Sequence, residues 1–99
     1  MITVTHISGR TSTNFHDNNF DVTGVPMTNK NTAILHEALN DNTSIYKDGG
    51  FNPSANGSSY TISVRGYLSQ SVFNDVAAIQ AYIVAKLNSC LSTLEQRDI

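Results

Sequence analysis

The chain has 99 residues, 39% of them hydrophobic, and its six basic and eight acidic residues give a net charge of −2. This length is typical of one domain, so we interpret residues 1–99 as a single domain with a modest core. The Lys and Arg residues are spread evenly along the chain, whereas nucleic-acid binding needs a basic cluster on one face. The composition therefore argues against a nucleic-acid partner.

The N-terminus, the apolar segments and the single cysteine bear on location and redox chemistry. Residues 1–5 contain neither the basic nor the apolar region of a signal peptide, so a cytoplasmic location is expected. The longest apolar-rich stretch, 76–87, is too short and too polar to span a bilayer, so we expect no membrane association. Because Cys90 is the only cysteine, an intrachain disulfide is excluded, and its apolar surroundings favour a buried, unreactive thiol.

Polar, uncharged residues are unusually abundant. The chain contains eleven Asn, eleven Ser and ten Thr, about a third of its length, and most of them precede residue 72. These side chains hydrogen-bond locally and favour turns, strand edges and helix caps over helix interiors. The N-terminal two-thirds is therefore expected to consist mainly of strands and loops.

The first 23 residues predict three short strands separated by turns, because β-branched residues alternate with polar runs. The expected order is a strand over 2–8, a turn at 8–10, a strand over 11–15, a turn at 16–19 and a strand over 20–23. Gly24 and Pro26 end the third strand.

The middle of the chain predicts a short helix, a long loop and a strand. Residues 33–39 place their apolar side chains on one helical face behind several N-cap candidates, although a strand is the alternative for this segment. Residues 48–59 hold three glycines and a proline, which predicts a long loop. Strict alternation over 60–68 gives the clearest strand of the chain.

The C-terminal part predicts one long helix over about 71–96. Apolar residues recur every three or four positions, at Val72, Val76, Ile79, Ile83, Leu87, Cys90 and Leu94. Ser69 or Ser71 is the candidate N-cap, with Asp75 in the first turn. Seven turns would extend roughly 37 Å, more than a small sheet covers. We therefore expect a homo-oligomer with this helix in the interface.

Together these elements predict an α+β fold. We expect a small antiparallel sheet of three to five strands, packed on one face by the long C-terminal helix and accompanied by one shorter helix.

Metal sites are not indicated by the sequence. Asp17, Asn19 and Asp21 match the first three ligand positions of a calcium loop, but Val22 stands where the loop needs Gly and Thr28 where it needs Glu. The three histidines lack ligand spacing on any one element. We therefore expect no metal and no cofactor.

Catalytic motifs are not indicated either. The sequence has no Gly-x-Ser-x-Gly, no phosphate-binding loop and no paired carboxylates. His6 shares a strand face with Ile2 and Val4, which is typical of a partly buried, hydrogen-bonded histidine. The chain is therefore interpreted as a protein that is not an enzyme.

A candidate ligand-binding surface lies on the predicted strand 60–68. Arg65 and Tyr67 share its outward face, where a guanidinium fork can bind phosphate or carboxylate and an aromatic ring can stack. Phe51, in the predicted loop, and Arg10, beside Gly9, complete the candidate ligand-binding set. The alternative is that Arg65 makes a cross-strand pair and that Phe51 folds back onto the core.

Two functional classes follow. The first is a non-enzymatic, oligomeric binding protein that captures a small anionic ligand or a target protein through loop 48–59 and the Arg65/Tyr67 row. Small, Asn-rich chains without motifs are common among the accessory proteins of phages and mobile elements, where inhibition needs only binding, so an accessory or inhibitor protein of this kind is an expectation within this class. The alternative is a small structural or assembly subunit that uses its C-terminal helix as the interface.

Overall fold

A computed structural model of the chain describes residues 2–40, 46, 50–56 and 59–90. These residues form a four-stranded antiparallel sheet and two α-helices, which confirms the predicted α+β fold. The elements are β1 (Thr3–Thr11), β2 (Phe15–Thr23), α1 (Asn29–Leu39), β3 (Gly50–Asn56), β4 (Ser59–Tyr67) and α2 (Val76–Ser89), with a 3-10 helix at Ser71–Asn74. The strand order is β1-β2-β4-β3, so β1 and β3 are the edge strands of this sheet.

The core lies between the sheet and the two helices, which pack on the same face. Its fully buried side chains come from β2, β4, the 3-10 helix and both α-helices: Phe20, Val22, Tyr60, Ile62, Phe73, Leu35, Ile79, Ile83 and Leu87. Tyr60 is the largest of them, and its hydroxyl group lies 2.8 Å from Thr32 Oγ1 on α1. The polar end of this ring is thereby satisfied inside an apolar layer.

The N-terminal prediction of three short strands is wrong. Residues 8–10 belong to β1 and residues 16–19 to β2, while the turn between the two strands lies at 12–14. The Ser12 amide donates to Phe15 O over 2.8 Å and closes this turn. A register shift between His6 and Ser8 marks a bulge in β1. The side chain of Ile7, which lies between them, is exposed.

The polar run 16–19 stays extended because its side chains have partners outside the run. Asn18 Nδ2 donates to Phe73 O over 3.0 Å, and Asp17 accepts from Arg65 Nε over 2.7 Å. Local turn propensity is a weak signal, and these long-range hydrogen bonds outweigh it.

The predicted loop 48–59 is also corrected. Residues Gly50–Asn56 form β3, which pairs antiparallel with β4 from Gly50 opposite Arg65 to Asn56 opposite Ser59. An edge strand tolerates Pro53 because one side of its backbone needs no ladder hydrogen bonds. The rest of the predicted loop, except Ser59 in β4, lies outside the described residues.

The predicted short helix and the clearest strand are confirmed. α1 extends the predicted 33–39 to Asn29–Leu39, and Thr28 caps it by accepting a hydrogen bond from the Asn31 amide at 3.0 Å. β4 covers Ser59–Tyr67, and its alternate residues are buried as expected.

The predicted helix over 71–96 has different bounds. A 3-10 turn at Ser71–Asn74 precedes α2, and Asp75 is the N-cap, accepting from the Ala78 amide at 3.1 Å. The helix ends at Ser89, and the predicted part beyond residue 90 lies outside the described residues. Its 14 residues span about 21 Å, so the excess length that motivated an oligomer is absent from the described helix.

Gly66 on β4 makes room for Phe73, and this close approach gives a test of the packing. A Cβ atom at Gly66 would overlap the Phe73 ring, which is fully buried, whereas one at Gly50 would have ordinary contacts. We expect Gly66→Ala to lower the free energy of unfolding by about 1–3 kcal/mol or more through overpacking. Gly50→Ala is the matched control and should change it by much less. Urea unfolding followed by circular dichroism measures both, and equal effects would contradict this packing.

Candidate ligand-binding groove

The face of the sheet opposite the helices carries rows of polar side chains. Because side chains alternate along a strand, inward Asn18 and Val64 place their neighbours on this open face. Asp17 on β2 lies opposite both Arg10 on β1 and Arg65 on β4. Three strands thus bring two arginines and one carboxylate together at one level of the sheet.

The two arginines interact with Asp17 unequally. Arg65 Nε donates to Asp17 Oδ1 over 2.7 Å, whereas Arg10 Nε lies 3.6 Å from Asp17 Oδ2, beyond hydrogen-bonding distance. The Asp17 side chain is 17% exposed, while those of Arg10 and Arg65 are 74% and 60% exposed. Both guanidinium groups therefore remain accessible to solvent.

A second row of polar side chains lies one step along the same face. Asn19 Nδ2 donates to Ser8 Oγ over 3.0 Å, and Ser63 Oγ donates to Asn19 Oδ1 over 2.7 Å. Asn52 on β3 is the register partner of Ser63. These bonds link β1, β2 and β4 through neutral groups. The charges of this region therefore belong to Arg10, Asp17 and Arg65 alone.

The two rows line a groove of about 680 Å³ on the open face. The lining residues come from all four strands: Ser8, Gly9, Arg10, Asp17, Asn18, Asn19, Gly50, Asn52, Ser63, Val64 and Arg65. A volume of this order is typical of small-molecule sites. We refer to these residues as the arginine groove.

An aromatic pair lies beside the arginine groove on the same face. Phe15 and Tyr67 are register partners whose ring centroids are 5.2 Å apart with an interplanar angle of 31°. The Arg65 guanidinium carbon lies 5.4 Å from the Phe15 ring centroid, within the range of a cation–π contact. Arg65 therefore contacts both the carboxylate and the aromatic pair.

The structure places three of the four predicted site residues together. Arg10, Arg65 and Tyr67 lie on the open face, and the predicted cross-strand pairing of Arg65 is also present. Phe51 is half-buried on the helix side, 5.5 Å from the Tyr46 ring and 5.1 Å from the Tyr82 ring, centroid to centroid. It follows the alternative prediction, in which it folds back onto the core.

Sequence reasoning missed Ser8, Asn19 and Asn52 as neighbours of Arg65, and it considered Asp17 only as a metal ligand. The alternation of Asp17, Asn19 and Asp21 was the available signal, because polar residues two apart on a strand share a face. Asp21 accepts from Ser59 Oγ over 2.6 Å. Among the described residues, no group of three or more His, Cys, Asp or Glu side chains is placed to hold a metal ion.

Two groups with perturbed pKa values lie elsewhere in the molecule. Burial raises the pKa of the Cys90 thiol, which favours its protonated, less reactive form. Burial, assisted by the negative charge of Asp75, raises the pKa of Tyr46. Neither residue lines the arginine groove.

The Arg65–Asp17 ion pair gives a test of the groove's electrostatics. Asp17→Asn keeps an acceptor for Arg65 Nε but leaves two positive charges close together, so we expect a loss of less than about 1 kcal/mol of unfolding free energy. The loss should shrink at about 1 M NaCl, where charges are screened. Asp21→Asn is the control, because Asp21 bonds to the Ser59 hydroxyl group. Urea unfolding at low salt and at about 1 M NaCl measures the unfolding free energy of both variants. If salt changes the two losses equally, the ion pair is contradicted.

Comparison with known proteins gives no family for this chain. It matches no protein-family model, no curated protein and no solved structure. Neither helix in the described part of the chain combines the length and the apolar composition needed to cross a bilayer.

Proposed function

We propose that this protein is a non-enzymatic binding protein that holds a small anion in the arginine groove. The observation that carries the proposal is the charge of the groove lining. Arg10 and Arg65 supply two positive charges and Asp17 one negative charge, while the other lining residues are neutral. The groove thus has one positive charge in excess on a chain whose net charge is −2.

The hydrogen-bonding capacity of the arginines supports an anionic ligand. Arg65 uses Nε toward Asp17, and within the described ranges no residue accepts a hydrogen bond from the terminal amino groups of Arg65 or Arg10. A guanidinium presents these donors in a planar fork that matches carboxylate and phosphate oxygens. The exposed Asn52 amide, on the same face, adds a neutral donor.

The position of Arg65 supports tight rather than incidental binding. Its hydrogen bond to Asp17 and its contact with the Phe15 ring hold the guanidinium on a central strand before any ligand arrives. A side chain that is already ordered loses less conformational entropy on binding. Arg10 lies on the edge strand and is more exposed, so its contribution should be the smaller one.

The surroundings of the groove hydroxyl groups favour binding over catalysis. Ser63 Oγ donates to the Asn19 amide oxygen, and Ser8 Oγ accepts from the Asn19 amide nitrogen. A nucleophilic serine needs an adjacent base, which an amide does not provide. We therefore assign the groove to ligand capture.

Arg65→Ala tests this function with inorganic phosphate as the probe. We expect a roughly ten- to hundredfold loss of phosphate affinity, since a charge-assisted contact contributes about 1.5–3 kcal/mol. Arg10→Ala should lose less, and Lys30→Ala, which removes an exposed charge from α1, should bind like the wild type. Amide shift titrations by NMR at constant ionic strength give the affinities, with melting temperature as the folding control.

If Arg65→Ala stays folded and binds phosphate like the wild type, the groove is not the anion site. If phosphate shifts the wild-type spectrum evenly over the surface, binding is non-specific and the proposal fails.

A second candidate function is an assembly subunit that associates through α2. Its exposed side chains are uncharged, and the only charged side chain of the helix, Lys86, is half-buried. The exposed residues are Ala77, Ala81, Val84 and Ala85, followed by the polar Asn88 and Ser89 at the end of the helix. Val84 is 36% exposed. A helix face without exposed charges is typical of the core of a subunit interface.

This candidate predicts a mass above the 10.8 kDa of one chain at micromolar concentration. Val84→Lys should restore the monomer, because it places a charge in the proposed interface. Ala33→Lys, at an exposed position on α1, is the matched control and should leave the mass unchanged. Light scattering across a concentration series measures the mass, and a wild-type monomer throughout would contradict assembly.

A further inference from the structure

We infer that the ligand of the arginine groove is an aromatic anion, whose charged group binds Arg65 and Arg10 and whose ring stacks on Tyr67. This inference rests on the proposed function and adds the chemical class of the ligand. It follows from the position of the Phe15–Tyr67 pair, which contributes nothing to anion binding by itself.

The aromatic pair lies close enough to the arginines for one ligand to contact both. The register pairs Phe15 with Tyr67 and Asp17 with Arg65, so the two pairs are successive pairs on one face of β2 and β4. Residues two apart on a strand are about 7 Å apart. A compact molecule that holds an anionic group a few bonds from a planar ring covers this distance.

The Tyr67 ring is available for stacking. Tyr67 is 50% exposed, one of the most exposed large apolar or aromatic side chains in the described part of the chain. Its ring packs against that of Phe15 at a tilt of 31°, with the centroids 5.2 Å apart, so a neighbouring ring holds it in place. A shallower concavity of about 380 Å³ begins at these rings and is lined further by Thr13, Asn14, Leu68 and Ser69. A ligand ring placed there would remove apolar surface from water.

Arg65 connects the two halves of the site. Its guanidinium lies over the Phe15 ring while Nε is bonded to Asp17, so its terminal amino groups are held at the border between the groove and the aromatic pair. Burying the contact under a planar ligand would strengthen the cation–π interaction by excluding water. Charge recognition and stacking would therefore reinforce each other for one ligand.

Three matched probes separate the contributions: adenosine 5′-monophosphate, ribose 5-phosphate, which lacks the ring system, and adenosine, which lacks the anion. We expect the nucleotide to bind roughly five- to hundredfold more tightly than ribose 5-phosphate, the range of one stacking contact. Adenosine should bind more weakly than the nucleotide by a similar factor. Calorimetry or NMR titration gives the three affinities.

Variants assign each contribution to a residue. Tyr67→Ala should abolish the advantage of the nucleotide and leave ribose 5-phosphate binding unchanged, whereas Tyr67→Phe should keep the advantage. Arg65→Ala should weaken both phosphates. Ile7→Ala removes an exposed apolar side chain, 54% exposed on β1, and should have no effect.

The outcomes distinguish this inference from the proposed function. If the two phosphates bind equally and both depend on Arg65, the anion groove stands and the aromatic extension is wrong. If neither phosphate binds, both are wrong. If adenosine binds as tightly as the nucleotide, the site is aromatic without anion recognition, which also overturns both.

Discussion

The arginine groove depends on the inward position of one amide, that of Asn18 on β2. Asn18 is 6% exposed and donates through Nδ2 to Phe73 O, while its Oδ1 lies 3.0 Å from His6 Nε2. Because Nδ2 is the donor, Oδ1 must accept, so His6 carries a proton on Nε2. The amide joins β1, β2 and the 3-10 helix. A buried amide without these partners would cost about 1–3 kcal/mol, so the arrangement specifies the register of β2.

This register has consequences on both faces of the sheet. With Asn18 and Phe20 directed to the core, Asp17 and Asn19 must point to the open face, where they contact Arg65 and Ser63. Gly9, opposite Asn18, completes the arrangement because a Cβ there would collide with Asn18 Oδ1. The same constraint therefore supports the core and places the only carboxylate of the groove between two arginines.

Asp17 sets both the net charge and the side-chain order of the proposed anion site. Its carboxylate offsets one of the two positive charges and orients the guanidinium of Arg65, so the remaining attraction is that of a single positive charge. Such a site suits a small anion with one or two negative charges better than a polyanion, whose binding needs many cations on one face. The aromatic pair beside Arg65 then offers the apolar contact that a purely ionic site lacks.

The sequence by itself determined the fold class, α1, β4 and the outward position of Arg65 and Tyr67, because apolar periodicity acts locally and strongly in these segments. It failed where Asn, Asp, Ser and Gly follow one another: residues 8–10, 16–19 and 50–56 are typical of turns but belong to strands. Only the tertiary structure decided these segments. Their polar side chains are satisfied by partners distant in the sequence, such as Asp17 with Arg65 and Asn18 with Phe73, and no local pattern contains those hydrogen bonds.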